Sequence, residues 1–418
     1  MLHGLMSIAR TPIGDTPDCW SHVYRINAIY NGDIIARRTN ATSGFFQIAS
    51  ENYGGAVDWD IINLSLKYPG VTPISVVDVD TITDFNQHSA DVPFNNSAVY
   101  TPIPYLPYVA ALAFCRAIPA LDSPETIYYA MEITGLMTFV ALLAFSIWMI
   151  PRFRIVMALF FFLLFFGISG FYLSIPTMIG CDMVTCGLAS LLACLLLRCY
   201  YEYPSQKGFL LIAFCSGLLA LTKFSYAPLI FVPLPVLLAH NKLQGSLPLF
   251  ALAAVFLMAL FAWVHFAADF ASTPTAVPYA VVQERSSAFL ANPFTFFRKM
   301  YVTIASLKIY HGEFSKKQAA FVIFAWGGSF AMIISSLVLG FRKKLSWRKA
   351  VSWAGVAVLL LCSLVLIYLA LYLQYDQSDS PIIYGIQVRY FVPLFPFIAV
   401  GFLENFLVVT SREQTATN

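Results

Sequence analysis

Apolar runs of about twenty residues, the length that carries a helix through a hydrocarbon core of about 30 Å, recur along the chain. They stand at 127–149, 153–172, 180–199, 208–223, 226–240, 248–268, 319–341, 350–374 and 390–409. The fourth and fifth are short and read as a bent pair around Lys223 and Pro228. A weaker apolar stretch, 103–120, has three prolines near its start (Pro102, Pro104, Pro107) and Arg116 inside it. It reads as an interfacial or re-entrant helix rather than a crossing. The pattern predicts an all-α polytopic membrane protein with nine crossings. Its parts are an outer-face loop with juxtamembrane helices (1–126), six spans (127–268), a second outer loop (269–318) and three spans with a tail (319–418).

Orientation follows from Lys and Arg in short loops, which stay on the cytoplasmic side. The densest cluster, Arg342, Lys343, Lys344, Arg348 and Lys349, separates the seventh and eighth runs, so that loop is expected in the cytoplasm. Alternation then puts Arg152/Arg154, Arg198/Lys207, Lys242 and the C-terminal tail on the same side. Both long polar stretches fall on the outer face. A true crossing at 103–120 would turn the Arg342–Lys349 cluster outward, which is a second reason to read that stretch as interfacial.

Composition narrows the partners. Of 418 residues, 59% are hydrophobic and 11% charged, with a mean hydropathy of +0.72. A soluble domain carries about 25% charged residues, so the expected partner of this surface is the lipid bilayer. The formal charge of +3 is too small to point to nucleic acid, and no basic run interleaves with aromatics as a nucleic-acid groove requires. Eight cysteines without a CxxC pair read as small hydrophobes rather than a disulfide or zinc framework. The first ten residues, MLHGLMSIAR, are too short and broken for a signal peptide.

Candidate chemistry begins at Thr16–Arg25, TPDCWSHVYR. Pro17 suits a first helical turn with Thr16 as its cap. On such a helix Asp18, His22 and Arg25 share a face, while Trp20, Val23 and Ile26 lie elsewhere and can rest on the membrane surface. A first-turn carboxylate is stabilised by the helix dipole and stays ionised; beside a bilayer it can take a proton from an acceptor hydroxyl. Spacing alone is equally met by an acidic residue that merely favours a helix start, and Asp15 by a turn residue. Asp182 opens the third run in an uncharged stretch. An acid at membrane depth is a functional candidate, and an interfacial helix cap is the other reading. Glu132 and His265 lie within their runs, where each needs a partner, a polar cavity or nearby water.

Lys223 and Arg389 are expected at outer membrane ends, placed either to hold a lipid phosphate or to snorkel toward headgroups. Arg389 lies in YGIQVRYFVPLFP (384–396), an aromatic, proline-punctuated lead into the last run. Arg298, Lys299, Lys308, Lys316 and Lys317 in the second outer loop read as a solvated basic face or as an attractor for an anion. Sequons stand at Asn40, Asn63 and Asn95.

Five segments together resemble DUF2142, a family of multi-pass membrane proteins related to the GT-C glycosyltransferases. They are PDCWSHVYRINAIYNGDI (17–34), YTPIPYLPYVAALAF (100–114), GCDMVTCGLASLLA (180–193), LTKFSYAPLI (221–230) and IQVRYFVPLFP (386–396). The resemblance implies a GT-C-like helical bundle in the cytoplasmic (inner) membrane. Asp18 would be the catalytic base, Asp182 the second acid, and Arg389, with Lys223, the phosphate contact. His22 and Arg25 would join the substrate side of the same helix. Three departures stand out. Cys19 replaces an acid usual after the Pro-Asp pair, and Val388 replaces a Gly before the Arg. GT-C proteins also place a span before the acidic loop, so one is expected upstream of Met1.

The resemblance implies an inverting transferase that moves a sugar from a polyprenyl-phosphate donor to a cell-envelope glycan acceptor, such as an O-antigen, on the outer face. Neither a His-rich nor a clustered-carboxylate site argues for a metal, and no cofactor is called for. A transporter or flippase of a lipid-linked or anionic substrate would instead place ionisable groups near the midplane, often in repeated halves. Glu132 and His265 support that alternative. A non-catalytic envelope-assembly partner is the third reading.

Overall fold

In a computed structural model of the chain, the described residues are 1–39, 52–70, 88–168, 178–202, 205–240, 247–271, 279–306, 316–374 and 380–416. They form a helical bundle with a small mixed layer over one end. The layer is built from α1 (Leu2–Arg10), α2 (Cys19–Tyr30), α3 (Trp59–Lys67), α4 (Asn95–Ala98), α5 (Leu106–Arg116) and three strands. The strands, β1 (Arg37–Thr39), β2 (Asn52–Asp58) and β3 (Ser89–Pro93), pair antiparallel in the order β1-β2-β3, with Arg37 opposite Gly54 and Ala56 opposite Asp91. Gly54 is required there, because a Cβ would lie 1.8 Å from the Val92 carbonyl oxygen.

The sheet was not expected from the sequence, and it changes the role of α2. Trp20, Val23 and Ile26 do not lie on a membrane surface: they are buried in the core of this layer, with Tyr24, Tyr105 and Tyr108. The Trp20 indole donates to the Tyr68 carbonyl oxygen at 2.7 Å, which satisfies its polar edge inside that core. The 103–120 stretch forms α5, eleven residues long, or about 16 Å, too short to cross. Arg116 at its end binds Asp58, Asp60 and Asp122 within the layer.

The bundle contains α6 (Pro124–Trp148), α7 (Arg154–Phe162), α8 (Cys181–Tyr201), α9 (Gln206–Thr222), α10 (Pro233–His240), α11 (Leu247–Ala271), α12 (Tyr279–Ala291), α13 (Phe294–Ser306), α14 (Lys316–Phe341), α15 (Trp347–Gln374) and α16 (Phe395–Ala416). Among the described residues five helices are long and apolar enough to cross a membrane: α6, α8, α11, α14 and α15. The expected bent pair is α9 followed by a 3₁₀ segment, Phe224–Phe231, and α10. Pro228 sits inside the 3₁₀ segment, where its missing N–H breaks a regular ladder. The run at 153–172 begins as α7 and continues as a π-helix to Ile168, beyond which it leaves the described residues.

Helix α8 is the axis of the bundle. Its apolar window is 94% buried, against 17% for α11, which faces outward. Asp182 stands at its first turn and Tyr200 near its last, about 27 Å apart. Around Tyr200 gather Ser352, whose hydroxyl bonds that of Tyr200, and Lys349, which donates to the Tyr200 carbonyl oxygen at 2.9 Å. Arg152 covers the Tyr201 ring, and the His240 Nε2 lies 2.7 Å from the Cys199 carbonyl oxygen. Basic loops therefore share one end of the bundle, and Asp182 marks the other.

Candidate functional site

The site is built where α2, α8, α9 and the segment before α16 meet beneath the mixed layer. Helix α2 begins two residues later than the spacing predicts. Its first residue is Cys19, whose N–H donates to the Thr16 carbonyl oxygen, so Asp18 precedes the first turn. Asp18 adopts the left-handed conformation (φ 60°, ψ 13°), tolerated by Asp but uncommon. Its carboxylate makes no capping bond. Oδ2 instead accepts from Arg389 Nη2 at 2.6 Å and Oδ1 from Asn96 Nδ2 at 3.1 Å. Burial opposes the charged form, but the guanidinium outweighs it and holds the Asp18 carboxyl below its ordinary value. The ionised state thus comes from Arg389 rather than from the helix dipole.

Asp182 opens α8, Lys223 ends α9, and Arg389 lies in the 3₁₀ turn Val388–Tyr390. Lys223 Nζ donates to Asp182 Oδ1 at 2.5 Å, and Arg389 Nη1 lies 3.8 Å from Asp182 Oδ2. Two carboxylates and two cations therefore form one tetrad whose formal charges cancel, the condition under which buried charges are tolerated. Lys223 also faces the rings of Tyr390 at 4.9 Å and Tyr100 at 5.7 Å. Two tertiary hydrogen bonds fix the backbone on either side: Thr101 to the Leu221 carbonyl oxygen at 2.6 Å, and Tyr226 to that of Tyr390 at 2.8 Å. Side-chain exposure is 24% for Asp18 and only 6–8% for Asp182, Lys223 and Arg389. Asp18 is the member an incoming substrate can reach. Among the described residues, Nε and Nη1 of buried Arg389 have no hydrogen-bond partner, although a buried donor normally has one.

His22 borders the tetrad. Its Nδ1 is 2.8 Å from the Tyr105 hydroxyl and its ring stacks on Tyr100. Gly180 admits that ring, since a Cβ there would lie 3.0 Å from it. Burial pulls the imidazole down to about 4, so His22 is neutral at pH 7. Arg25 does not face the tetrad: two turns along α2 it donates to the Asp33 and Ile34 carbonyl oxygens at 3.1 and 2.6 Å. Cys19 also turns away, with Sγ 3.3 Å from the Tyr128 hydroxyl, and burial pushes its thiol up to about 12. The residue that departs from the familiar acidic pair is thus a neutral packing group. Asp15 is exposed in a turn, its N–H donating to the Pro12 carbonyl oxygen.

The remaining sequence candidates lie elsewhere. Glu132 is buried on α6 beside Tyr128, away from the tetrad. His265 is exposed on α11 against Phe266. Arg298 is exposed and Lys299 covers the Tyr372 ring, while Lys308 lies outside the described residues, as do the side chains of Lys316 and Lys317. Asn95 is buried and accepts from the Tyr53 N–H at 2.8 Å; Asn40 lies outside the described residues.

Three site residues were missed from sequence: Asn96, Tyr100 and Tyr390. Two of them, Tyr100 and Tyr390, sit inside segments already singled out, and only the fold shows that they enclose Lys223. All three, with Lys223, line two cavities at once. One, of about 30 Å³, lies among the tetrad. The other, of about 420 Å³, is mostly apolar and runs between α9, α11, α12 and α15 past Leu260, Trp263 and Leu371. Its size falls in the range of small-ligand sites.

A family model described as "Predicted membrane protein (DUF2142)" matches residues 1–398. The chain belongs to the DUF2142 family. The match takes in every member of the tetrad and both cavities. No curated protein and no solved structure matches this DUF2142 chain.

Proposed function

We propose that this protein is an inverting membrane glycosyltransferase that moves a sugar from a polyprenyl-phosphate donor to a hydroxyl of a cell-envelope glycan. The carrying observation is the wall shared by the two cavities. Asn96, Tyr100, Lys223 and Tyr390 separate an apolar space from a cluster of buried charges, the arrangement an apolar tail ending in a phosphate requires. The tail occupies the larger cavity, and Arg389 and Lys223 meet the phosphate, with the unused Arg389 donors available to it.

In the transfer, Asp18 accepts the proton of the acceptor hydroxyl while that oxygen bonds to the anomeric carbon. The bond from that carbon to the phosphate oxygen breaks, and its electron pair leaves on the phosphate. Two cations beside the departing oxygen stabilise the charge as it develops. Asp182 balances Lys223 and orients it. The site then belongs on the outer face of the cytoplasmic membrane, with the basic loops and the C-terminus on the cytoplasmic side.

Membranes carrying Asp18→Asn or Arg389→Ala, assayed for transfer from a polyprenyl-phosphate sugar, test this reading. Loss of about a hundredfold or more is expected for each. Wild-type rates in both would overturn the site assignment. Movement of a lipid-linked substrate across the bilayer without transfer would overturn the enzyme in favour of a transporter.

A further inference from the structure

The tetrad as it stands is closed. The cavity among its side chains, about 30 Å³, has room for only a water or two, and the four charges are paired with one another. A phosphate has no room among these side chains as they stand, so seating one requires one of the pairs to open. Lys223 and Asp182 form the more deeply buried pair, at 2.5 Å. The pair between Arg389 and Asp18 is the one with a more exposed carboxylate and an arginine that still holds two unused donors.

We propose that the donor phosphate exchanges with Asp18 on Arg389, so that the base is released only once the donor is seated, with Asn96 as the positioning residue that keeps the released carboxylate in place. This deepens the transferase reading and rests on it. A carboxylate clamped by a guanidinium is a poor base, because the pair stabilises its ionised form. Paired as it is, Asp18 sits below its ordinary value. Once Arg389 turns to the phosphate, Asp18 loses that cation and faces a new anion, and both changes raise its affinity for a proton. The remaining neighbours of Asp18 reinforce this. His22 is neutral at pH 7, and Asp182 is a like charge already committed to Lys223. The bond from Asn96 to Oδ1 does not involve Arg389, and the Asn96 carboxamide is itself held by the Ser21 hydroxyl. The carboxylate therefore stays aimed while its partner leaves. The device keeps the site from consuming acceptor protons without a donor present.

Exchange makes Asp18 a competitor of the phosphate, which gives a test by binding alone. The full chain in phosphatidylcholine nanodiscs would be titrated with undecaprenyl phosphate and, in parallel, with inorganic phosphate. Asp18→Asn, close to isosteric, is expected to tighten undecaprenyl phosphate about tenfold, and the gain should vanish in the Asp18→Asn/Arg389→Gln double variant. Unchanged or weaker binding in Asp18→Asn, in a protein of wild-type circular dichroism, overturns the exchange. So does equal tightening without Arg389, which would reduce the effect to general charge. Wild-type protein that binds neither probe overturns the donor reading together with the exchange. Inorganic phosphate bound as tightly as the lipid, with the Asp18→Asn gain intact, supports the exchange and removes the lipid carrier.

Discussion

Arg116 and Arg389 each sit among carboxylates, and the difference between them separates a structural pin from a site. Arg116 Nη1 donates to Asp60 at 2.8 Å and Asp122 at 2.7 Å, and its Nη2 to Asp58 and Asp60, both at 2.9 Å. Both terminal nitrogens are fully used, the carboxylates are partly exposed, and neither cavity touches the group. Arg389 is more buried but makes one short bond to Asp18, and among the described residues its Nε and Nη1 make no hydrogen bond, Nη1 standing 3.8 Å from Asp182. Leaving a buried donor unmade costs about 1–3 kcal/mol, so evenly spread structural ion pairs do not explain the second arrangement. Unspent donors beside a cavity do.

The largest effect should come from breaking that asymmetry. Arg389→Gln is expected to lower transfer about a thousandfold, since it removes the cation on which donor and base both depend. The matching change, Arg116→Gln, should leave the rate per folded molecule within about twofold while lowering stability by about 1–2 kcal/mol. Thermal unfolding alongside transfer assays reads both. If Arg116→Gln silenced a fully folded protein, the distinction between the two arginines would collapse.

The site end also carries a titration. His22 falls from 6.5 to about 4 on burial. Between those values the unfolded chain holds a proton that the folded chain does not. Stability is therefore full above about pH 6.5 and falls as pH drops toward 4, by about 3 kcal/mol in total. His22→Gln should flatten that limb in melting curves taken from pH 7.5 to 4.5. An unchanged slope would mean that the imidazole is not buried in its neutral form. A smaller effect is expected from Ala370→Trp in the apolar cavity, at an exposed α15 position. It should raise the KM for the polyprenyl donor about tenfold with little change in kcat. A KM that does not move would place the lipid tail elsewhere.

The bundle was more legible in the sequence than the layer over it. Runs of twenty apolar residues are dictated by bilayer thickness, and Arg116 within a proline-rich run was enough to demote 103–120 from a crossing. Strands of three to seven residues inside a polar region carry no such signature, and Gly54-Gly55 breaks the alternation that would have marked β2. Missing the sheet misplaced Trp20, Val23 and Ile26. The charged members of the tetrad were readable one at a time, because a charge at membrane depth is costly enough to be noticed. Their pairing was not, since residues 18, 182, 223 and 389 meet only through the fold. Arg25 shows the limit of periodicity: it shares α2 with His22, and Asp18 only precedes that helix, yet the Asp33–Ile34 carbonyls claim it. Asn96 gave no signal, because a neutral amide in the single-turn helix α4 alters neither hydropathy nor charge.

Asn96 supplies the last prediction. In both clusters a neutral amide helps to hold a carboxylate: beside Arg116, Asn27 and Asn31 donate to Asp58 at 3.1 and 2.9 Å, but neither cavity adjoins them. At Arg389 the second oxygen of Asp18 is held by an uncharged group from another element, which persists when the arginine engages a phosphate. Asn96→Ala should therefore leave donor KM within about twofold and lower kcat about fivefold, the split expected when an interaction matters in the transition state and not in donor binding. The bond also favours the ionised carboxylate, so its loss should move the acid limb of the kcat profile to higher pH. Asn96→Asp should be worse than alanine, because it sets a second carboxylate against Asp18. A rise in KM without any change in kcat would place Asn96 on the donor rather than on the base.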